Sequence, residues 1–178
     1  MKGIIFTEFL AMVEEKFSLD MVDHLIDHSN LDSGGAYTSV GTYSHLEMNA
    51  LVANLSKETN IPMSELLKIF GMYLFKTLST NYPTFVNKPK NVIEFLSSIE
   101  TYIHVEVKKL YPDAELPKFK SDFLDEKTLE LTYSSERHYG DLAEGLIIGS
   151  IDFFKNGRLV KREDLPNKSV KFTIQLND

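Results

Sequence analysis

Tyr133, Ser135 and Arg137 stand two apart in the stretch Leu-Glu-Leu-Thr-Tyr-Ser-Ser-Glu-Arg, residues 129–137. Side chains on a strand alternate faces. The spacing therefore predicts Leu129, Leu131, Tyr133, Ser135 and Arg137 on one side, and Glu130, Thr132, Ser134 and Glu136 on the other. A face that begins apolar and ends in a phenol, a hydroxyl and a guanidinium offers three donors at one place. The planar guanidinium fork suits a carboxylate or a phosphate. The same residue types also serve as plain surface at a strand end, and chemistry alone leaves both readings open.

The histidines are the other candidates. His104 sits in Tyr102-Ile103-His104-Val105-Glu106-Val107-Lys108-Lys109-Leu110-Tyr111-Pro112. The buried stripe of a helix there reads Val92, Leu96, Ile99, Ile103, Val107 and Leu110, which leaves His104 about 100° away from Ile103. Its neighbours one turn away are Glu100, Thr101, Lys108 and Val107. Periodicity alone makes His104 an exposed helix histidine. His24 and His28 are four apart, as a two-histidine metal site requires, but a solvated polar face explains them better. His45 and His138 read as surface. Gly145 and Gly149, four apart on one helix, suggest close approach of something.

Taken together, these segments resemble the H-NOX family, the haem nitric oxide/oxygen binding domains. Tyr133-x-Ser135-x-Arg137 is similar to the family's haem-propionate motif, and residues 102–112 to its proximal-histidine helix. Leu116-Pro117-Lys118-Phe119 follows at about the family's distance, and Met1-Lys2-Gly3-Ile4-Ile5 is like its opening. The resemblance implies haem b (iron protoporphyrin IX), with His104 as iron ligand and Tyr133, Ser135 and Arg137 on the propionates. Pro117 reads two ways: as a strand-start proline whose missing donor matters little, or, by the resemblance, as the residue that presses the porphyrin out of plane.

The family's oxygen binders carry a distal tyrosine at the position of Leu142, supported at the positions of Phe9 and Leu74. With Ile5, Leu78 and Leu146 these give an apolar pocket, so the resemblance implies a sensor selective for nitric oxide over oxygen that also takes carbon monoxide. Gas binding is expected to weaken or break the iron–His104 bond, relieve the strain at Pro117 and shift the helix carrying His104. At this length the output is expected in trans, through a histidine kinase or a cyclic-di-GMP enzyme. Some H-NOX proteins hold a structural zinc with cysteines; this chain has no cysteine and departs from them.

The elements that must position these residues are legible as two groups. Helices are predicted over 3–16, 19–28 (capped by Ser18), 43–57, 64–78 and 91–110, with Asp32-Ser33-Gly34-Gly35 a loop and residues 81–90 a polar connection. Ile5, Phe9, Met12, Val13, Met21, Leu25, Leu46, Leu51, Val52 and Leu55 are the expected inward positions of the first three helices. After Pro112 the period becomes two, with strands at 117–124, 128–134, 158–162 and 170–176 and a helix at 140–154. This is an α+β pattern: a helical N-terminal subdomain (1–62) and a C-terminal one (63–178) bearing a four-stranded antiparallel sheet, with haem between them by the resemblance, in one domain of 178 residues.

Composition narrows the function classes. Net charge is −7, with 26 acidic against 19 basic residues, which opposes phosphate neutralisation and argues against nucleic acid. Lys155, Arg158, Lys161 and Arg162 read as a solvated hairpin. No cysteine means no disulfide, thiolate nucleophile or cysteine-ligated haem. No apolar run approaches a membrane span and no signal peptide opens the chain, so a cytoplasmic protein is expected. Two other classes stand beside the sensor: a small hydrolase or lyase, and a non-haem ligand-binding or interaction module. No nucleophile with a matched base and no glycine-rich phosphate loop supports an enzyme.

Overall fold

The computed structural model describes residues 1–177. It comprises two compact units, Met1–Phe70 and the remainder from Gly71 onward. Helix α4 (Met63–Asn81) runs through the point of division.

The first unit is helical. It contains α1 (Gly3–Lys16), α2 (Leu19–His28), α3 (His45–Thr59) and the first turns of α4. Ser18 Oγ accepts from Met21 N–H at 3.1 Å and Ser44 Oγ from Leu46 N–H at 3.2 Å, so both helices start on a side-chain cap. Asn60 closes α3 in the left-handed region, φ 58°, where its short polar side chain is tolerated. Phe6, Phe9, Met12, Leu25, Leu51 and Leu55 are fully buried. Phe6 stacks on Tyr37 at 4.4 Å, and Phe9 meets Phe70 edge-on at 5.3 Å.

Glu47 is buried on α3. It accepts from Ser33 Oγ and, at 2.7 Å, from Tyr37 O–H, which pins the loop before the helix. Three expectations fail here, Met21 among them, which is only partly buried while Val22 beside it is buried. Leu46 is 64% exposed, because as an early residue of α3 it points away from the face carrying Met48, Leu51, Val52 and Leu55. Ile5 is only partly buried, its place in the core taken by Phe6 one residue on.

The second unit is built on an antiparallel sheet in the order β1-β2-β4-β3. The strands are β1 (Lys118–Phe123), β2 (Thr128–Ser134), β3 (Gly157–Asp164) and β4 (Val170–Leu176). Leu129, Leu131 and Tyr133 on β2 and Val170, Phe172 and Ile174 on β4 face a core shared with α5 (Val92–Ser97) and α7 (Gly140–Phe154). Leu131 pairs with Phe172 and Tyr133 with Val170 across the two central strands. The opposite face is polar, with Lys171 Nζ 3.2 Å from Glu130 and 3.4 Å from Glu163. A register shift between Leu159 and Lys161 leaves Val160 53% exposed.

The glycines of α7 are explained by α4. A Cβ on Gly71 would run into the Leu142 carbonyl oxygen and come within 2.7 Å of Gly145 Cα; one on Gly149 would lie 2.8 Å from Phe75 Cβ. The approaching element is therefore a helix, brought to backbone distance because glycine has no side chain.

Candidate functional site

The helix predicted over 91–110 is not one regular helix. Asn91 caps α5, its Oδ1 accepting from Glu94 N–H at 2.9 Å. After Ser97 the hydrogen bonding widens: Ile103 N–H reaches back five residues to Ser98 O at 3.2 Å, and His104 N–H to Ile99 O. Residues Ile99–Ile103 thus form a π-turn, and α6 (His104–Leu110) follows. Such turns insert one residue into a helix and break the 100° phase on which the expected stripe rested. Leu110, predicted inward, is 54% exposed.

His104 opens α6 with its side chain only 15% exposed, a correction to the exposed position that periodicity gives. Its Nδ1 lies 3.0 Å from Glu100 Oε1. The same carboxylate oxygen accepts the backbone N–H of Phe119 at 2.8 Å. Burial lowers the His104 pKa, and the Glu100 carboxylate, which acts in the opposite sense, does not reverse it. Burial thus favours the uncharged ring, which lies beside a carboxylate.

Phe119 connects this helix to the sheet. Its ring centroid is 5.9 Å from that of His104 and 5.5 Å from that of Tyr133, its cross-strand partner in the β1–β2 register. Pro117 immediately precedes β1. Tyr133 is 3% exposed and its phenol oxygen accepts from Tyr139 N–H at 3.1 Å. Burial raises its pKa and pushes that of Tyr139 up to about 12.

The alternating face predicted through Arg137 ends early. β2 stops at Ser134; Ser135 and Arg137 lie in a turn, where Ser135 Oγ accepts from Arg137 N–H at 3.2 Å. His138 follows in the left-handed region, φ 56°. A turn, not a pleat, aims the guanidinium. That guanidinium is 18% exposed and ion-paired with the Glu115 carboxylate, with its other amino group 3.4 Å from the Glu115 backbone oxygen. Glu115 is itself 80% exposed.

His104, Phe119, Tyr133, Ser135 and Arg137 all belong to the second unit, as do Pro117, Leu74, Leu78, Leu142 and Leu146; Ile5 and Phe9 belong to the first. Leu74 is 2% exposed and Leu146 packs on the second unit's core. Sequence reasoning missed Glu100 and Glu115 as partners. The first had a signal, its place one helical turn before His104; the second had none, since a loop brings it to Arg137. His24 and His28 stack at 4.1 Å, with His24 Nε2 3.5 Å from Glu58. Among the described residues no group of three His, Cys, Asp or Glu is arranged to hold a metal ion.

Among known proteins, the sequence pattern described as Haem-NO-binding matches residues 2–161. The chain belongs to the H-NOX family. An unliganded Fe(II) H-NOX protein from K. algicida is 41% identical, with a TM-score of 0.93 over 100% of this chain and 97% of that one. The IWP-051-bound H-NOX from Shewanella woodyi in the Fe(II)CO state is 38% identical, with a TM-score of 0.84 over 99% and 95%. An H-NOX protein from S. oneidensis in the Fe(II)NO state is 26% identical, with a TM-score of 0.91 over 100% of both chains. The comparison with curated proteins found no match. The α+β fold of this H-NOX chain is that of its relatives. Among the described residues no helix is long and apolar enough to cross a membrane.

The donor set of this H-NOX domain fits the family's haem. The His104 imidazole has one ring nitrogen bonded to a carboxylate, an arrangement that suits a histidine binding a metal through its other nitrogen. The Glu115 carboxylate on Arg137 shows the kind of group that the guanidinium takes, which is the chemistry of a propionate.

Proposed function

We propose that the protein is a haem-based sensor selective for nitric oxide over oxygen, acting on a separate signalling protein rather than as an enzyme. The observation that carries this is the largely buried His104 imidazole held at Nδ1 by Glu100, within a family whose members include Fe(II)NO and Fe(II)CO forms. In this reading His104 Nε2 holds the iron of haem b. Arg137, Tyr133 and Ser135 hold the propionates, and Pro117 bears on the porphyrin. When bound, haem would supply a ferrous iron able to take a diatomic gas.

The protein's own part is selection and release. By family position, Leu74, Leu78, Leu142 and Leu146 of the second unit would face the gas. All are apolar, so no hydroxyl is present to stabilise the charge that oxygen develops; nitric oxide and carbon monoxide need that donor less. With His104 as the protein's link to the iron, a weaker link would leave the imidazole held at Nδ1 by Glu100, which also holds Phe119 of β1. A gas shifts this equilibrium only through its differential affinity for the two states, and a weaker hold of His104 on the iron would provide the difference. The partner in this reading is a histidine kinase or a cyclic-di-GMP enzyme, and because those act on cytoplasmic nucleotides the sensor works in the cytoplasm.

The test is the absorption spectrum of the purified protein. The expected result is a haem band that moves on adding nitric oxide to the reduced form. A colourless protein that takes up no added haem would overturn the reading in favour of a non-haem ligand-binding module.

A further inference from the structure

We propose that Glu100 is a positioning residue for His104, and that through one shared oxygen it fastens the histidine's helix to the strand that follows Pro117. The inference rests on the assignment of His104 as the iron ligand. Two N–H groups from different elements converge on Glu100 Oε1: the imidazole Nδ1 at 3.0 Å and the Phe119 backbone nitrogen at 2.8 Å. An ionised carboxylate only accepts, so Nδ1 must carry the ring proton and Nε2 is left as the donor. A carboxylate on the far nitrogen of a ligating histidine fixes the tautomer and ring plane and raises the donor strength of the near one.

The second bond is what makes the arrangement more than an ordinary helix pair. β1 is an edge strand, so its outward N–H groups have no neighbouring strand. Glu100 takes that of Phe119, whose ring in turn lies against His104 on one side and Tyr133 on the other. The π-turn contains Glu100 and ends where His104 begins, so the widened turn sets the carboxylate, the ring and the strand in one cluster. Movement of the helix relative to β1 must either break the bond to Phe119 or carry the strand's first residues, Pro117's neighbours, with it. Glu100 thereby couples the strength of the iron–histidine bond to the segment proposed to strain the porphyrin.

The test compares Glu100→Gln, which keeps one acceptor oxygen able to take both bonds but removes the charge, with Glu100→Ala, which removes acceptor and charge together. In the haem-loaded ferrous protein the iron–histidine stretching frequency, read by resonance Raman, should fall in the Gln variant and fall further in the Ala variant. Haem transfer to apomyoglobin should quicken about 10- to 100-fold in the Ala variant. In the haem-free full chain, long-range proton–nitrogen NMR of the His104 ring should show the Nδ1–H tautomer for the parent and its loss for Glu100→Ala. Frequencies and tautomer unchanged in both variants would overturn the proposal, even with a lowered melting temperature, because a purely structural carboxylate would move stability alone. A stretching frequency that survives in His104→Gly would overturn the ligand assignment instead, and the two failures are thus separable.

Discussion

Arg137 grips the exposed side chain of Glu115 while its own guanidinium is mostly buried. The pair is asymmetric: one partner is fixed by its surroundings and the other is free to leave. A carboxylate from a ligand can therefore take the place of that of Glu115, whose exposed side chain returns to water.

From this, Arg137→Ala should weaken haem retention more than Ser135→Ala. A charge-assisted hydrogen bond to a propionate contributes roughly 1.5–3 kcal/mol, against about 1 for a neutral hydroxyl. Rates of haem transfer to an apo-globin acceptor give the order. Equal rates in the two variants would count against a guanidinium–propionate pair.

His104→Gly should lose haem, or hold it only when imidazole is supplied in solution to replace the missing ring. Spectra recorded with and without imidazole distinguish the cases. A variant with the parental spectrum in both would place the iron on another histidine.

Reduced protein in air should form no stable oxygen complex, while nitric oxide and carbon monoxide bind. Introducing a donor by Leu142→Tyr should then raise oxygen affinity. One hydrogen bond to a partly charged acceptor is worth about 1.5–3 kcal/mol, which is roughly tenfold to over a hundredfold. Oxygen-binding curves of the two proteins decide it, and a persistent oxygen spectrum in the parent would reveal a donor elsewhere, Tyr139 being the first to replace by phenylalanine.

Gly71→Ala should destabilise the protein even though alanine is favoured over glycine in a helix by about 1 kcal/mol. The new methyl would meet the Leu142 carbonyl oxygen and the Gly145 and Leu146 backbone, and backbone cannot rotate aside. Overpacking of this kind costs about 1–3 kcal/mol. Urea titration measures the balance; an unchanged or higher midpoint would show that α4 and α7 can separate cheaply.

Alkaline conditions should expose the buried phenols only as the fold is lost. Burial moves Tyr139 from 10 to about 12, so between those values the folded chain holds a proton that the unfolded chain releases. Stability from this group is complete below pH 10 and is lost as pH rises toward about 12. Phenolate absorbance followed beside circular dichroism tests this. Ionisation of all eight tyrosines with the far-ultraviolet signal intact would contradict it.

How much of this could be read beforehand depended on whether a signal was local. The bounds of β2, β4 and α7 follow from strict alternation or from a helical run ended by Asn156-Gly157, and the structure has them at 128–134, 170–176 and 140–154. Ser18 announces α2 by its side chain. The π-turn had no such mark: Ile99–Ile103 contains neither glycine nor proline, and its widened hydrogen bonds shift the helix phase without a change in composition. His104 therefore looked solvent-facing by periodicity and was singled out only by the family's sequence pattern. Arg137 was misplaced on a strand because alternation in letters continues for three residues after the backbone has turned. Glu115 meets it across 22 positions, a distance over which no local rule operates.

The wide turn before His104 also bears on what kinds of genetic change this segment tolerates. Each residue of a helix contributes about 100° of rotation and 1.5 Å of rise, so the number of residues between Asn91, where the helix is capped, and His104 fixes where the imidazole points. Replacing one letter in Ile99–Ile103 leaves that count intact. Deleting one would remove the residue that the wide turn absorbs and leave a regular helix with the ring on about the same face, whereas adding one would swing the ring about 100° round the axis, away from Phe119. Among relatives, the span from cap to histidine is thus expected to drift freely in spelling and to tolerate loss of the one absorbed residue, but not a further insertion.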